Sequence, residues 1–118
     1  MIRVKRIYEA ARKEDGYRVL VDRLWPRGVS KQQAHVQLWL KDIAPSDALR
    51  KWFAHDPKKW AEFQRRYGKE LAGKKNLLEQ VERLEREHLA VTLLYSAKDE
   101  EHNQAVALAR FLKGAPRS

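Results

Sequence analysis

Two short segments of the sequence concentrate the side chains that can do chemistry, residues 22–28 and residues 95–103. The first segment, DRLWPRG, contains two arginines beside a tryptophan. Guanidinium groups bind phosphate or carboxylate through paired hydrogen bonds, so this composition is typical of a site for a planar anion. The predicted ligand-binding residues of this segment are Arg23, Trp25 and Arg27, and Asp22 is a candidate catalytic acid or base.

The second segment, YSAKDEEHN, adds hydroxyl, cationic, acidic, imidazole and amide groups. Lys98 can contribute positive charge to the anion site, and Ser96 is a further candidate ligand-binding residue. Asp99 can accept a hydrogen bond from a hydroxyl group or act as a base, because a carboxylate is an acceptor. His102 can relay a proton near neutral pH, and the amide of Asn103 can orient a ligand. The candidate catalytic residues are therefore Asp22, Asp99 and His102.

Each of these side chains also has a purely structural interpretation. Arg23 extends the apolar face of a predicted strand, which is unfavourable unless it reaches water, a ligand or an acid such as Asp22, Asp42 or Asp99. Asp99 can instead cap the last helix. His102 can be an exposed helical residue, and the tryptophan of the first segment can belong to the core. These alternatives stay open on the sequence alone.

The two segments follow the two strands with the strongest sequence signals. YRVLV, which opens the predicted strand at residues 17–25, is apolar on both faces, as expected for an interior strand. AVTLLYS, residues 90–96, is apolar almost throughout and is the best candidate for a central parallel strand. In open α/β sheets, ligands bind at the carboxyl ends of strands. If these two strands are parallel neighbours, the two segments lie side by side.

The remaining patterns predict one α/β domain over residues 1–118, with a small mixed β-sheet flanked by helices in a Rossmann-like sandwich. Residues 2–8 and 36–40 alternate between apolar and polar side chains and are predicted strands. Asp15-Gly16 is a turn signal between the first two strands. The predicted order of elements is three strands, three helices, a strand and a final helix.

The helices are predicted from their start signals and their apolar spacing. Asp56-Pro57 begins the longest one, with Asp as the cap and Pro in the first turn. Gly68 lies inside this helix and is expected to kink it or to end it early, because glycine is a poor helix former. Residues 76–88 form the next predicted helix, and the last runs from about Glu100 to Lys113.

The composition excludes several classes of protein. There is no cysteine among the 118 residues, which excludes disulfides, thiolate nucleophiles and cysteine-ligated zinc. The four histidines are widely scattered and no pair has the spacing of a metal motif, so neither a metal nor a cofactor is predicted. No apolar run approaches the length of a membrane span, and the N-terminus lacks the apolar stretch of a signal peptide. We therefore expect a cytosolic protein without a membrane partner.

Positive charge is unevenly distributed along the chain. The formal net charge is +9, and residues 1–59 carry 14 Lys and Arg against 7 Asp and Glu, a surplus of +7. A positive field of this kind attracts anionic partners. The partner can be an anionic small molecule or a nucleic acid, although the sequence lacks a helix-turn-helix, zinc-finger or RNA-recognition string.

Four strings together resemble one family of proteins. They are DGYRVLVDRLWPRGVSK (15–31), WLKDIAPS (39–46), LRKWFAHDPKKWAEFQRRY (49–67) and TLLYSAKDEEHNQAVAL (92–108). Over nearly its whole length the chain resembles the YeaO-like bacterial proteins, a domain family of unknown function. The resemblance implies a cytosolic α/β protein but supplies no established reaction. The site residues that it carries over are Asp22, Arg23, Trp25, Pro26, Arg27, Gly28, Lys98, Asp99, His102, Asn103 and Ala105.

Three functions are compatible with these observations. The first is a small protein that binds an anionic small molecule such as a nucleotide or a phosphorylated metabolite, with or without turnover. The second is a basic module that binds nucleic acid or regulates another process, and the third is a scaffold without chemistry. The sequence does not decide whether the protein is an enzyme, and it gives no oligomeric state.

Overall fold

A parallel β-sheet of four strands forms the centre of the protein. The structure is a computed structural model that describes residues 1–114. The strands are β1 (Ile2–Arg6), β2 (Tyr17–Leu20), β3 (Leu38–Trp39) and β4 (Val91–Tyr95), in the order β1-β4-β2-β3. The predicted strands are therefore confirmed, although each is shorter than its apolar pattern.

The central position of β4 is also confirmed. Val91 is aligned with Ile2 of β1 on one side and with Tyr17 of β2 on the other. All five residues of β4 are buried, because strands lie on both of its edges and apolar side chains cover both of its faces. A continuous apolar run is the sequence signature of such a strand. The same run therefore places the end of β4 beside the end of β2.

The α/β class is confirmed, and the sheet is parallel throughout where a mixed sheet was expected. The chain between β1 and β2 does not form a hairpin, because β4 lies between these two strands. Gly16 ends this connection with φ of +66°, and a Cβ atom at this position would lie 2.2 Å from the carbonyl oxygen of Ala90. The turn signal at Asp15-Gly16 therefore marks a close approach of two backbones.

Four of the five helices contribute buried side chains to a large apolar core on one face of the sheet. This core contains Val19 and Leu93 from the strands together with Phe63 and Leu108 from two of the helices. The helices are α1 (Lys31–Ala34), α2 (Asp47–Phe53), α3 (Trp60–Ala72), α4 (Lys75–His88) and α5 (Gln104–Lys113), and α1 is the one outside the large core. Within residues 1–114, no helix is long and apolar enough to cross a membrane.

The expectation that α3 ends early at Gly68 is wrong, since the helix continues through this residue to Ala72. The ring of Phe111 in α5 lies 3.6 Å from the place where a Cβ atom of Gly68 would stand. Tyr67 and Leu71, on the buried stripe of the same helix, are fully buried in the large core. Tertiary packing of the apolar face therefore outweighs the low helix propensity of one glycine.

The other face of the sheet carries a smaller apolar cluster and a buried group of charges. The cluster contains Leu20 and Leu94 from the strands together with Ala34 from α1. Beside the start of β2, Asp15 accepts hydrogen bonds from the side chains of Lys5 and Arg18. We call Lys5, Asp15 and Arg18 the buried ion group, because Asp15 and Arg18 are almost completely buried and Lys5 is largely so.

The topology creates a switch point between the ends of β2 and β4. The chain leaves β2 toward β3 on one side of this pair of strands. It leaves β4 toward α5, which packs against β1 and β4 on the other side. In open parallel sheets a crevice forms where neighbouring connections diverge in this way.

Candidate functional site

A cleft of about 690 Å³ opens at the switch point. Both polar segments line it, so the structure brings together the two regions that the sequence singled out. The predicted site residues that line the cleft are Asp22, Arg23, Trp25, Arg27, Ser96, Lys98, Asp99 and Asn103. His102 does not line it.

Asp22 lies at the floor of the cleft and bridges the two segments. Asp22 is 8% exposed. It comes directly after the residue that makes the last backbone hydrogen bond between β2 and β4. Oδ2 accepts hydrogen bonds from the backbone N–H (3.1 Å) and the hydroxyl group (2.6 Å) of Ser96. Oδ1 accepts a hydrogen bond from the side-chain amide of Gln104 in α5. The carboxyl group therefore joins the ends of both strands to the start of the last helix.

Neutral groups supply all of these hydrogen bonds to Asp22. Among residues 1–114, no lysine or arginine forms an ion pair with its carboxylate. Desolvation by burial raises the pKa of Asp22 above its ordinary value, and the hydrogen bonds from Ser96 and Gln104 offset part of this rise. A buried carboxyl group with a raised pKa can exchange a proton closer to neutral pH than an exposed one.

The loop after β4 is held in place from the first strand. Arg6, the last residue of β1, donates a hydrogen bond from Nε to the carbonyl oxygen of Ala97 (3.0 Å). Its Nη2 donates a second bond to the carbonyl oxygen of Ser96 (3.3 Å). The position of Ser96 in the cleft is thus fixed by strands on both sides of β4.

Arg23 does not form the ion pair that was one interpretation of its position. Its Nε donates to the carbonyl oxygen of Pro45 and its Nη2 to that of Ala44, both at 3.1 Å. The segment that carries these carbonyl groups is held by α3, because the hydroxyl group of Tyr67 donates to the carbonyl oxygen of Ile43 (2.7 Å). Backbone carbonyls therefore satisfy one edge of the guanidinium group, and Nη1 has no hydrogen bond in the described part of the chain.

Two other cations of the cleft are exposed. The side chains of Arg27 and Lys98 form no hydrogen bond or ion pair within residues 1–114. The backbone of Arg27 is tied down, because the hydroxyl group of Tyr8 donates to its carbonyl oxygen (3.2 Å). The cleft therefore presents positive charge that no acid of the described chain neutralises.

Trp25 takes part in both the core and the cleft wall. Its indole N–H donates to the carbonyl oxygen of Val29 (2.7 Å), and its ring meets that of Trp39 edge to face, with centroids 5.4 Å apart. Phe53 and Phe63, with stacked rings, form another part of the lining. An aromatic wall next to cations is typical of small-molecule sites, where apolar surface surrounds a few polar groups.

The interpretation of Asp99 as the cap of the last helix is wrong. Asn103 caps α5, since its side-chain oxygen accepts a hydrogen bond from the N–H of Val106 (3.0 Å). Asp99 caps the preceding turn and accepts hydrogen bonds from the N–H groups of Glu101 and His102. These bonds, with that of Glu101 first, lower the pKa of Asp99.

His102 and Asn103 are both engaged inside the chain. Nδ1 of His102 lies 2.9 Å from Oδ2 of Asp99, and its ring meets that of Trp60 edge to face. The side-chain N–H of Asn103 donates to the carbonyl oxygen of Asp99 (2.9 Å). A proton relay by His102 would have to act through Asp99, and a contact between Asn103 and a ligand would compete with these bonds. Both roles stay predictions.

Sequence reasoning missed three polar residues of the cleft, which are Arg50, His55 and Gln104. Arg50 lies on α2 and His55 on the link that follows it, and both line the cleft. Gln104 is the first residue of α5. The helical spacing of Arg50 relative to buried Phe53 was the available signal, whereas nothing local in the sequence indicated the contact of Gln104 with Asp22.

The described residues contain no metal-binding group. In residues 1–114, no set of three or more His, Asp or Glu side chains lies close enough to hold a metal ion. The cleft can therefore offer a ligand hydrogen-bond donors, cations, two carboxyl groups and an aromatic wall.

Comparison with known proteins identifies the family. A model of the DUF488-N3i family, described as an inactive DUF488-N3 subclade, matches residues 1–117. The uncharacterised protein YeaO of Escherichia coli (strain K12) is 41% identical over 112 residues, which cover 95% of this chain and 96% of YeaO. The uncharacterised protein Rv3073c of Mycobacterium tuberculosis (strain ATCC 25618 / H37Rv) is 40% identical over 113 residues, 96% of this chain and 94% of that protein. No solved structure matches the chain. Because the family model and these relatives cover nearly the whole chain, it belongs to the DUF488-N3i family of YeaO-like proteins, a family of unknown function.

Proposed function

We propose that the cleft binds an anionic small molecule, with a nucleotide or another phosphorylated metabolite as the leading candidate. The observation that carries this proposal is that Arg27 and Lys98 are unpaired cations in the described part of the chain. Both line the cleft, and neither side chain has a hydrogen-bond or ion-pair partner in residues 1–114. Unpaired cations in a concave site concentrate the field and attract anions.

The charge balance of the cleft supports the same conclusion. Its lining includes four arginine or lysine side chains and two aspartates. Desolvation raises the pKa of one of these aspartates, Asp22, which favours its neutral form. Arg23 also contributes positive charge to the cleft. Its Nη1 group is not used by the backbone carbonyl partners and can donate to a phosphate or carboxylate oxygen.

The size and the walls of the cleft suit a ligand with a ring as well as an anionic group. Small-molecule sites usually enclose about 300 to 1,000 Å³, and this cleft has a volume of about 690 Å³. We assign the anionic group to Arg23, Arg27 and Lys98 and the ring to the wall around Trp25. Ser96 would accept a hydrogen bond from a polar group of the ligand.

We propose binding without turnover. The matched family is described as an inactive subclade, and this description favours a binding protein over an enzyme. Asp22 and Asp99 would then accept hydrogen bonds from hydroxyl groups of the ligand. The catalytic roles predicted for Asp22, Asp99 and His102 belong to the alternative in which the ligand is turned over. The cytosol remains the predicted compartment.

A thermal-shift screen with nucleotides and phosphorylated metabolites tests the proposal. At a ligand concentration of about 100 times Kd, binding stabilises the folded state by about 2.7 kcal/mol, which raises Tm by several degrees. The Arg27→Ala/Lys98→Ala double variant should lose this rise, since it removes two cations whose side chains have no internal partner. Its Tm without ligand should stay close to that of the wild type.

The matched control is the Arg83→Ala/Arg86→Ala double variant. It removes the same amount of positive charge from the exposed surface of α4, which does not line the cleft. The control should keep the full ligand response. If no ligand of the panel stabilises the wild type, or if both double variants lose the response equally, the cleft is not the binding site.

Salt dependence separates this function from nucleic-acid binding. Contacts with a nucleic-acid backbone weaken steeply as salt rises, because many counterions are released. Trp52 is a poor platform for stacked bases, since Lys59 and Arg66 already lie over its ring at 5.0 and 4.1 Å from the centroid. Binding of an oligonucleotide that falls by orders of magnitude between low and moderate salt would favour the nucleic-acid alternative.

A further inference from the structure

His55 occupies an unusual backbone position on the wall of the cleft. It lies two residues after the end of α2, and both Ala54 (φ 47°) and His55 (φ 58°) are in the left-handed region. Residues other than glycine rarely adopt this conformation, because their Cβ atom then approaches the following carbonyl oxygen. Two such residues in succession therefore require compensating contacts.

The compensating contacts are backbone and capping hydrogen bonds on both sides of His55. The N–H of Ala54 donates to the carbonyl oxygen of Arg50 (3.0 Å) and ends α2. The N–H of Asp56 donates to the carbonyl oxygen of Phe53, and its carboxylate accepts from the N–H of Lys58 at the start of the next turn. The link between two helices is thus fixed, and it directs the exposed imidazole toward the cleft.

The surroundings of His55 combine both signs of charge. Asp22 lines the same cleft, and His55 makes the smallest of the contributions that lower its pKa. On the same wall lies Arg50 of α2, whose Nη2 is 3.5 Å from Oδ1 of the exposed Asp47, and Asp56 is the neighbour of His55 along the chain. The other charged groups that line the cleft are Arg23, Arg27, Lys98 and Asp99.

We propose that His55, together with Arg50, forms a second cationic wall of the cleft that contacts the bound anion directly, so that the ligand is held between this wall and the wall of Arg27 and Lys98. The affinity for the anion then depends on the charge of His55. This inference rests on the proposed function and adds to it a residue that sets how strongly the anion is held.

Sulfate is a suitable probe, because it has the size of phosphate and keeps its charge through the pH range in which an imidazole titrates. Isothermal titration calorimetry at about pH 5.5 and about pH 8.0 should give about tenfold tighter sulfate binding to the wild type at the lower pH, the size expected for one added charge near the anion. The His55→Asn variant should lose most of this difference and should bind at both pH values about as weakly as the wild type at the higher one. Asparagine tolerates the left-handed conformation, so the link keeps its shape.

The chain offers a closely matched control in His35. This histidine also ends a helix in the left-handed region, with φ of 50°, and it is exposed but does not line the cleft. The His35→Asn variant should behave like the wild type at both pH values. The Asp22→Asn variant removes the carboxyl group of the cleft whose pKa is raised by burial, and it should keep the tighter binding at low pH.

The possible outcomes separate this inference from the proposed function. If His55→Asn keeps the full pH dependence, or if Asp22→Asn abolishes it, His55 does not contact the anion, although the nucleotide screen can still succeed. If the wild type binds no sulfate at either pH, the second wall is rejected. If the Arg27→Ala/Lys98→Ala variant also keeps its ligand response, the proposed function itself fails.

Discussion

Two buried aspartates at opposite ends of β2 have opposite electrostatic environments. Asp15, just before the strand, forms ion pairs with Lys5 and Arg18 in the buried ion group. Asp22, just after the strand, accepts hydrogen bonds from Ser96 and Gln104, which are both neutral. One short strand thus separates a carboxylate with charged partners from one without them.

The pKa values of the two groups follow this difference. Desolvation raises the pKa of Asp15, but the hydrogen bond from the backbone of Arg12 and the interactions with Lys5 and Arg18 outweigh it, so that the net shift is downward. For Asp22, desolvation is the larger effect and the net shift is upward. At the amino end of the sheet, cationic partners therefore balance the negative charge of Asp15, and this ion group stabilises the fold. The carboxyl end leaves a carboxyl group uncompensated, as is common at binding sites.

The largest expected effect belongs to the Asp15→Asn variant. It leaves Arg18, which is 3% exposed, without its anionic partner, and breaking a buried ion pair from one side costs about 3 to 5 kcal/mol. Urea denaturation should show this loss in the free energy of unfolding at pH 7. A loss below about 1 kcal/mol would mean that the buried ion group contributes little to stability.

Two glycines with positive φ give the next effect, Gly16 just before β2 and Gly28 in the loop that follows it. Gly16→Ala should destabilise the protein by about 1 to 3 kcal/mol, because the added Cβ atom would overlap the backbone of Ala90 in an already strained conformation. Gly28 has φ of +73° but no atom within 4 Å of its Cβ position. Gly28→Ala should therefore cost about 1 kcal/mol from backbone strain alone. Equal losses of Tm in the two variants would contradict this distinction.

The Asp22→Asn variant should have the smallest effect at neutral pH, below about 1 kcal/mol, because it removes a charge that no cation balances. Since the folded-state pKa of Asp22 is raised, its favourable contribution is complete below its unfolded value of about 3.9 and is lost as the pH rises through the folded pKa. The stability deficit of Asp22→Asn relative to the wild type should therefore shrink as the pH rises.

The deficit of Asp15→Asn should change in the opposite direction. The folded-state pKa of Asp15 is lowered, so its contribution is present above the unfolded value of about 3.9 and is lost as the pH falls through the folded pKa. Unfolding free energies of both variants from about pH 3 to pH 7 check these slopes. Parallel pH profiles would show that the two carboxyl groups do not differ as the structure indicates.

The sequence was sufficient to predict the meeting of the two polar segments. The apolar run of β4 required a central strand, and its pairing with β2 then placed Asp22 next to Ser96. The partners of Arg23 could not be predicted in the same way. They are the backbone carbonyl groups of Ala44 and Pro45. Every residue has such a carbonyl group, so the pattern of side chains does not indicate which distant ones accept a hydrogen bond from Arg23.

The helix boundaries and the second wall of the cleft also depended on tertiary structure. The start of α5 was predicted near Glu100, but Asn103 caps it, because Asp99 is occupied by a separate turn. His55 appeared to be an ordinary loop residue next to the capping signal of Asp56-Pro57. Its place in the cleft depends on two consecutive residues in the left-handed conformation. Neither of them is a glycine, so the sequence did not indicate this conformation.

The position of β4 has a consequence for how the protein is made. It is the last in the chain of the four described strands, yet β1 and β2 are joined in the sheet through it. The first ninety residues of a nascent chain therefore expose two strands whose edges lack their partner until β4 has been synthesised. The cleft, whose floor spans both strand ends, comes into existence with this final insertion.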